Sequence, residues 1–344
     1  MLTFQNIALL DILIAAIVLG GLGYVRRFAL PRPPVGHSTA SDVLIMTCLV
    51  VVMPIAYLAL PGPAVSAVFG VLFLAGTQMT LAPLLGGRWA TLGSLLLVAA
   101  DVAAAFAGLG GAVLVLNALL IAVAVIGVTS LWAQTGMKAG HVAAFATVLA
   151  VYDLFATGLG DLTDRFLAQV VGRPFAPLLA VTDGSAPVAA GLGDCLMLAL
   201  WPLVATKAYG KVAGWIGAAV GVGLIVLVEI GFVTGLLRSG MAFLTVLGPA
   251  ILIQYVIWRR LRGTERRTHE WLGLPASGVD TSGRVERLAG SLRAARAAET
   301  GVPAGTWVAV AGDDRVVGHG PTPGTALRAA RRAGYEGAPF VKQV

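Results

Sequence analysis

The sequence has few charged residues and very little cysteine. Charged side chains make up 12% of the 344 residues, whereas soluble chains carry about 25%, so an ordinary soluble domain is excluded. Cys48 and Cys195 both lie in apolar stretches and give no indication of a structural disulfide. No lysine or arginine precedes the first apolar run, and Arg26 and Arg27 follow it. That charge order predicts a retained first helix, because a cleaved signal peptide begins with basic residues.

The sequence is instead rich in long apolar runs. Hydrophobic residues make up 58% of the chain, and its mean hydropathy is +0.87. An apolar stretch of about 20 residues can cross a bilayer as a helix, which satisfies its own backbone polar groups in lipid. The sequence therefore predicts an all-α polytopic membrane protein whose membrane domain covers residues 1–258. Its nine predicted transmembrane helices cover residues 6–24, 42–60, 63–84, 89–108, 111–134, 140–158, 187–206, 212–236 and 241–258.

Basic residues alternate between the loops that connect these predicted helices. The loops after the first, third, fifth and seventh predicted helices, together with the chain after the ninth, are richer in basic residues than the alternate loops. They contain Arg26, Arg27, Arg32, Arg88, Lys138, Lys207, Lys211, Arg259, Arg260, Arg262, Arg266 and Arg267. Because basic loops stay in the cytoplasm, we expect the N-terminus outside and the C-terminus in the cytoplasm. The short chain and the lack of sorting motifs point to a prokaryotic plasma membrane. The basic tail suits an anionic inner leaflet, and no nucleic-acid partner is expected.

Five carboxylates fall within the predicted spans: Asp11, Asp101, Asp153, Asp194 and Glu229. An acid in lipid is costly, so each either has a function or pairs across a helix interface. Asp153 lies in the outer half of the sixth predicted helix, and Asp194 lies about two turns into the seventh. Consecutive helices run antiparallel, so these two carboxylates are expected at similar depth.

Two neighbouring carboxylates in a medium of low dielectric cannot both ionise cheaply, so the pair holds one proton. The ionised member can take a proton from water while the neutral member donates to a carbonyl oxygen, which leads through a gem-diol to cleavage of a peptide bond. Asp153 and Asp194 are therefore the predicted catalytic residues.

Small and helix-breaking residues surround the predicted pair. Gly191 and Gly193 precede Asp194, and the absence of side chains lets a neighbouring helix or an unwound substrate approach closely. Pro249 cannot donate the usual helical hydrogen bond, so backbone groups near it are free to pair with an extended substrate. A kink that only shapes packing is the alternative. Tyr152 is either a substrate contact or an interfacial aromatic.

At these residues the chain resembles the presenilin and signal peptide peptidase family of intramembrane aspartyl proteases. Tyr152-Asp153 is similar to the YD motif of the family's sixth helix, and Gly191-Leu192-Gly193-Asp194 to the GxGD motif of its seventh. Pro249-Ala250-Ile251 is similar to the PAL motif of its ninth helix, with isoleucine in the third position. The resemblance covers residues 1–258. It implies nine helices, a catalytic pair formed by Asp153 and Asp194, and no metal or organic cofactor.

The resemblance also implies a class of substrate. Signal peptide peptidases place their C-terminus in the cytoplasm, as the loop charges predict for this chain, and this similarity implies transmembrane peptides of type II orientation or signal-peptide remnants. Two other readings stay open. A proton-coupled transporter would use Asp101, Asp153, Asp194 and Glu229 as a relay, although no internal repeat is visible. Prepilin peptidases also use GxGD, but their aspartates are expected at the cytoplasmic face.

The polar tail divides into two predicted parts. Residues 259–304 are expected to form a basic linker that contains an amphipathic helix over 284–299. Residues 305–344 predict a small soluble α+β module of ββαβ order, with Asp313 and Asp314 in a turn and Thr322 capping a helix over 323–333. This module is a predicted interaction site for an unidentified cytoplasmic partner, and a homo-oligomer is compatible with the chain.

Overall fold

The computed structural model describes residues 4–28, 40–182, 188–237, 242–266, 271, 306–310, 316–335 and 340–343. The chain forms two compact units, Met1–Gly273 and Leu274–Val344. The predicted amphipathic helix over 284–299 lies outside the described residues, as does most of the predicted linker.

The first unit is a helical bundle with one small hairpin of strands. A π-helical turn, Leu154–Leu159, continues helix α6, and strands β1 and β2 pair antiparallel. The elements in chain order are α1 Phe4–Arg27, α2 Ala40–Leu58, α3 Gly62–Leu85, α4 Gly87–Phe106, α5 Gly110–Gln134, α6 Ala139–Asp153, α7 Leu162–Val170, β1 Leu178–Ala180, β2 Ala189–Gly191, α8 Leu192–Tyr209, α9 Lys211–Val233 and α10 Leu244–Arg262.

Six of the described helices are long and apolar enough to cross a membrane, so the chain is a multi-pass membrane protein. They are Phe4–Arg27, Gly62–Leu85, Gly87–Phe106, Gly110–Gln134, Ala139–Leu159 and Lys211–Val233. The prediction of nine spans is thus confirmed only in part. The other three predicted spans also contain helices, but α2 has a short apolar segment, α8 carries Asp194 and Lys207, and α10 ends in arginines.

Helix α8 lies at the centre of the bundle, which explains how it can carry the charged residues Asp194 and Lys207. It packs against α1, α5, α6, α9 and α10, and its residues from Met197 to Tyr209 are buried. A helix that faces protein on all sides can hold polar groups that lipid would not tolerate. Lys207 is one of these, because its Nζ donates to the carbonyls of Ala133 and Met137 at the end of α5.

Two local elements differ from the sequence prediction. Residues 189–191 form strand β2, so α8 begins at Leu192 rather than near residue 187, and Asp194 lies in its first turn instead of two turns inside. The physical reason is pairing with β1, which takes the backbone hydrogen bonds that a helix would otherwise use. The loop before it also contains a short helix, α7, that the sequence analysis did not predict.

Helices α6 and α10 touch at Gly248, which precedes the Pro249 motif. A Cβ atom at Gly248 would lie 2.6 Å from the carbonyl oxygen of Ala146 and 2.6 Å from the Cβ of Ala150. We expect Gly248→Ala to force the two helices apart and to lower the free energy of unfolding by about 1–3 kcal/mol. Thermal unfolding in detergent measures this effect. Gly223→Ala is the control, since a Cβ there meets nothing within 4 Å, and equal melting of both variants would contradict the expectation.

The chain directly after α10 caps two helices of the bundle. The Glu265 carboxylate accepts hydrogen bonds from the backbone N–H groups of Ala139 (2.9 Å) and Gly140 (3.1 Å), which begin α6. Arg266 donates to carbonyl oxygens near the end of α8, at Thr206 and Ala208. These contacts place an acid at a helix N-terminus and a cation at a C-terminus, which the helix dipoles favour.

Removal of the Glu265 cap should destabilise the first unit. We expect Glu265→Ala to lower the free energy of unfolding by about 1–2 kcal/mol, because two N–H donors lose their acceptor. Glu265→Gln, which keeps one side-chain oxygen, should lose less. Thermal unfolding followed by tryptophan fluorescence measures both, and the exposed neighbour Thr264→Ala is the control. If Glu265→Ala melts with wild type, the cap does not contribute.

The second unit has the predicted ββαβ order. Its strands are β3 Trp307–Val310, β4 Val316–Gly320 and β5 Phe340–Gln343, which form an antiparallel sheet in the order β4-β3-β5. Helix α11, Pro323–Arg332, packs on this sheet, and Thr322 caps it by accepting from the N–H of Thr325. A Cβ at Gly318 would lie 2.4 Å from the backbone nitrogen of Ala330, so glycine lets the helix lie against β4.

Candidate functional site

Asp153 is the last residue of α6, where the α-helix changes to the π-helical turn. Its Oδ1 accepts a hydrogen bond from the Thr157 hydroxyl at 3.0 Å, and its Oδ2 accepts from the backbone N–H of Leu244 at 3.1 Å. The Thr157 hydroxyl also shares a 2.7 Å hydrogen bond with that of Thr163. Single-turn π-helices often occur at functional sites, and here the turn brings Thr157 back to the carboxylate.

Asp194 lies in the first turn of α8. Its Oδ2 accepts a 3.1 Å hydrogen bond from the backbone N–H of Gly191, the residue that ends β2 and precedes the helix. The side chain is half-buried. An acid at this position of a helix has a structural use as a cap, so capping alone would account for the hydrogen bond from Gly191.

The structure brings the two aspartates to one place. Helix α6, which ends at Asp153, packs against α8, whose first turn carries Asp194. Leu244 connects their surroundings, because its N–H binds Asp153 and its Cδ1 lies 4.0 Å from the position of a Cβ on Gly193. The N-termini of α8 and α10 therefore both meet the carboxylate pair. Helix N-termini carry partial positive charge, so they favour negative charge at this site.

The two glycines of the predicted motif have different surroundings. A Cβ on Gly191 would lie 3.1 Å from Oδ2 of Asp194, so a side chain there would press on the carboxylate. Gly193 is exposed, and among the described residues only Leu244 comes within 4 Å of its Cβ position. Leu244 of α10 is thus the one described contact at this position, and the rest of the space beside Gly193 is open. Leu192 is half-buried, and its N–H donates to the carbonyl of Pro177 at 3.0 Å.

The other predicted site residues lie on α6 and α10. Tyr152 is half-buried and directly precedes Asp153 in α6. Pro249 is exposed, Ala250 is half-buried and Ile251 is fully buried, and α10 continues as a helix through all three. The backbone that touches Asp153 is that of Leu244, five residues before Pro249. At 1.5 Å per residue this separation is about 7.5 Å along the helix.

The remaining intramembrane acids lie at two other places. Asp11 of α1 and Glu229 of α9 lie on helices that pack together, and each has a buried side-chain oxygen that no described donor reaches. Neighbouring carboxylates in such surroundings cannot both ionise cheaply. Asp101 of α4 accepts from the backbone N–H of Phe175. Among the described residues no side-chain hydrogen bond joins these acids to Asp153 or Asp194.

Sequence reasoning missed several groups of the site. Thr157 lies four residues after Asp153, which is the spacing of one helical face, and this signal was available in the sequence. The N–H of Leu244 carried no signal, because every residue except proline has one. The hairpin of β1 and β2 was hidden because Ala189-Ala190-Gly191 continues an apolar run.

Within the described part of the chain, no group of three or more histidine, cysteine, aspartate or glutamate side chains is placed to hold a metal ion. Comparisons of the chain with protein-family models, with curated proteins and with solved structures yield no match. The function therefore has to be argued from the geometry of the site and from the motifs in the sequence.

Proposed function

We propose that the chain is an intramembrane aspartyl endopeptidase that cleaves transmembrane peptides. One observation carries the proposal: two carboxylates lie at the end of α6 and at the start of α8, two packed helices of a membrane protein, and Leu244 donates its N–H to Asp153 while its side chain lies beside Gly193, the neighbour of Asp194. Two such groups share one proton. The resemblance of Tyr152-Asp153, Gly191–Asp194 and Pro249–Ile251 to the presenilin and signal peptide peptidase motifs supports the same activity.

The proposed reaction needs one aspartate of the pair ionised and the other protonated. The ionised aspartate accepts a proton from water, the neutral aspartate donates to the carbonyl oxygen, and the resulting gem-diol collapses to break the peptide bond. The N–H groups of Leu244 and Gly191, which donate to Asp153 and Asp194, hold the two carboxylates in fixed orientations. No metal and no organic cofactor takes part in this scheme.

The substrate must be extended at the scissile bond, because the carbonyls of a helix are shielded. Strand β2 offers a place for such a segment. Beside β1, the carbonyls of Ala176 and Leu178 already accept hydrogen bonds from the side chain of Asn117. Strand β2 pairs with β1 on one edge, and no other described strand pairs with it on the opposite edge. A peptide that adds to β2 would run toward Gly191, three residues before Asp194, by strand addition. The open space at Gly193 fits an approaching backbone.

The finer topology belongs to the same proposal. We place nine crossings in the membrane, formed by the six apolar helices together with α2, α8 and α10. The arginines at the end of α10 then lie in the cytoplasm, and Asp153 and Asp194 lie nearer the outer face. This orientation favours type II transmembrane peptides or signal-peptide remnants as substrates in a prokaryotic plasma membrane. The second unit would bind a cytoplasmic partner.

The decisive experiment uses a reporter transmembrane peptide in proteoliposomes. Wild-type protein is expected to cleave it, and a mimic of the gem-diol should inhibit cleavage. The proton-coupled transporter is the rival function, and we disfavour it because the five acids lie at three places, and no described side-chain hydrogen bond joins an acid of one place to an acid of another. If purified protein leaves a panel of type II peptides intact and moves protons across the vesicle membrane, the rival replaces the protease.

A further inference from the structure

The segment that leads into β1 is held by two buried polar side chains. Asp101 of α4 is fully buried, and its Oδ2 accepts a 3.1 Å hydrogen bond from the N–H of Phe175. Asn117 of α5 is 6% exposed, and its Nδ2 donates to the carbonyls of Ala176 (2.9 Å) and Leu178 (3.1 Å). Buried polar groups are costly unless they are used. All three of these hydrogen bonds go to one stretch of backbone.

That stretch has a conformation that needs support. Phe175 has φ of +60°, the left-handed region, and no other non-glycine residue in the described ranges has positive φ. Such a conformation is unfavourable for a residue with a side chain and persists only when its surroundings hold it. The Phe175 ring packs on α3 at Gly70, where a Cβ would lie 2.8 Å from the ring. Helices α3, α4 and α5 together therefore hold this turn.

From this turn a short series of hydrogen bonds reaches Asp194. Leu178 pairs with Gly191 in the hairpin, and the carbonyl of Pro177 accepts from the N–H of Leu192 at 3.0 Å. Gly191 in turn donates its N–H to Oδ2 of Asp194. Hydrogen bonds thus connect the start of α8 to the β1 segment. Further hydrogen bonds connect that segment to Asn117 and, at Phe175, to Asp101.

We infer that Asp101 and Asn117 are positioning residues for Asp194, which act by holding Phe175–Leu178 and with it the hairpin against which α8 begins. This inference rests on the proposed protease function for its effect on catalysis. It concerns hydrogen bonding and not charge. Asp101 acts as an acceptor for one N–H, and Asn117 acts as a donor to two carbonyls.

The experiment compares leucine and conservative variants in the full-length protein. Asp101→Leu and Asn117→Leu remove the hydrogen bonds, and both should lower kcat for the reporter peptide about 10–100-fold with KM little changed, because Asp194 is misplaced by a small distance. Asp101→Asn keeps an acceptor oxygen and should stay within about 3-fold of wild type. Should Asn117→Leu not fold, Asn117→Ala removes the donor without adding volume.

Amide hydrogen exchange provides a readout that does not depend on catalysis. The amides of Val181 and Leu192, which are bonded within and beside the hairpin, should lose protection in both leucine variants and keep it in Asp101→Asn. Ser94→Ala on α4 and Thr129→Val on α5 are matched controls, since these buried hydroxyls bond only to their own helices. Both controls should keep kcat and protection.

The outcomes separate this inference from the proposed function. If the hairpin amides stay protected in both leucine variants, or if Asp101→Asn loses as much activity as Asp101→Leu, the positioning role is overturned. If wild type cleaves no peptide while the leucine variants still lose protection at Leu192, the protease proposal fails and the positioning of Asp194 stands.

Discussion

Asp194→Asn is expected to abolish cleavage of the reporter peptide, with a loss of at least about 1,000-fold, while the protein keeps its fold. Asparagine retains an oxygen that can accept from the N–H of Gly191, so the cap at the start of α8 survives. The amide cannot take or give the proton that the reaction requires. Cleavage rate and thermal unfolding, measured on the same preparation, separate the catalytic use of Asp194 from its structural one.

Asp153→Asn should give the same result for the same reason. Its amide can accept from the N–H of Leu244 through oxygen and donate to Thr157 through nitrogen, so both contacts of the carboxylate have replacements. The double variant should be no less active than either single one, because the two groups act as one unit. Asp164→Asn, at an exposed position in α7, is the control and should keep full activity. Cleavage at wild-type rate by either site variant would remove the catalytic pair.

The positions of the apolar helices could be predicted from the sequence because burial in lipid imposes a long, uninterrupted apolar run. The prediction of 63–84 corresponds to α3 at Gly62–Leu85, and that of 111–134 to α5 at Gly110–Gln134. The start of α8 could not be predicted in this way. Whether Ala189–Gly191 forms helix or strand is decided by a partner, Leu178–Ala180, which lies elsewhere in the sequence.

The candidate site shows the same division. Helix order and direction predict which ends of neighbouring helices lie together, and Leu244 does lie beside both Asp153 and Gly193. The backbone donors that orient the two carboxylates were not predictable, since the N–H groups of Leu244 and Gly191 depend on where α10 and β2 begin. The partner of Asp101 was hidden for a similar reason: the N–H of Phe175 is free to donate this hydrogen bond only because the chain turns there with positive φ.

Gly193→Ala is expected to make the protein more stable and less active. In the structure Gly193 lies in the first turn of α8, and a methyl group there would meet only the Leu244 side chain, at 4.0 Å. Alanine favours helix over glycine by up to about 1 kcal/mol. The same methyl group would occupy the open space beside Asp194, where we place the extended substrate, so kcat/KM should fall about 10-fold, and further in Gly193→Val.

Gly23→Ala on α1 is the matched control for the expected gain in stability and loss of activity of Gly193→Ala. Gly23 is also a helical, exposed glycine whose Cβ position meets nothing within 4 Å, but it lies on a helix that carries neither aspartate of the pair. It should gain stability and keep its activity. A Gly193→Ala protein that is stabilised and fully active would show that substrate does not approach along this face of α8, even if Asp194 is catalytic. A loss of activity together with a loss of stability would instead assign Gly193 to packing, and the path of the substrate would have to be sought on the other side of the carboxylate pair.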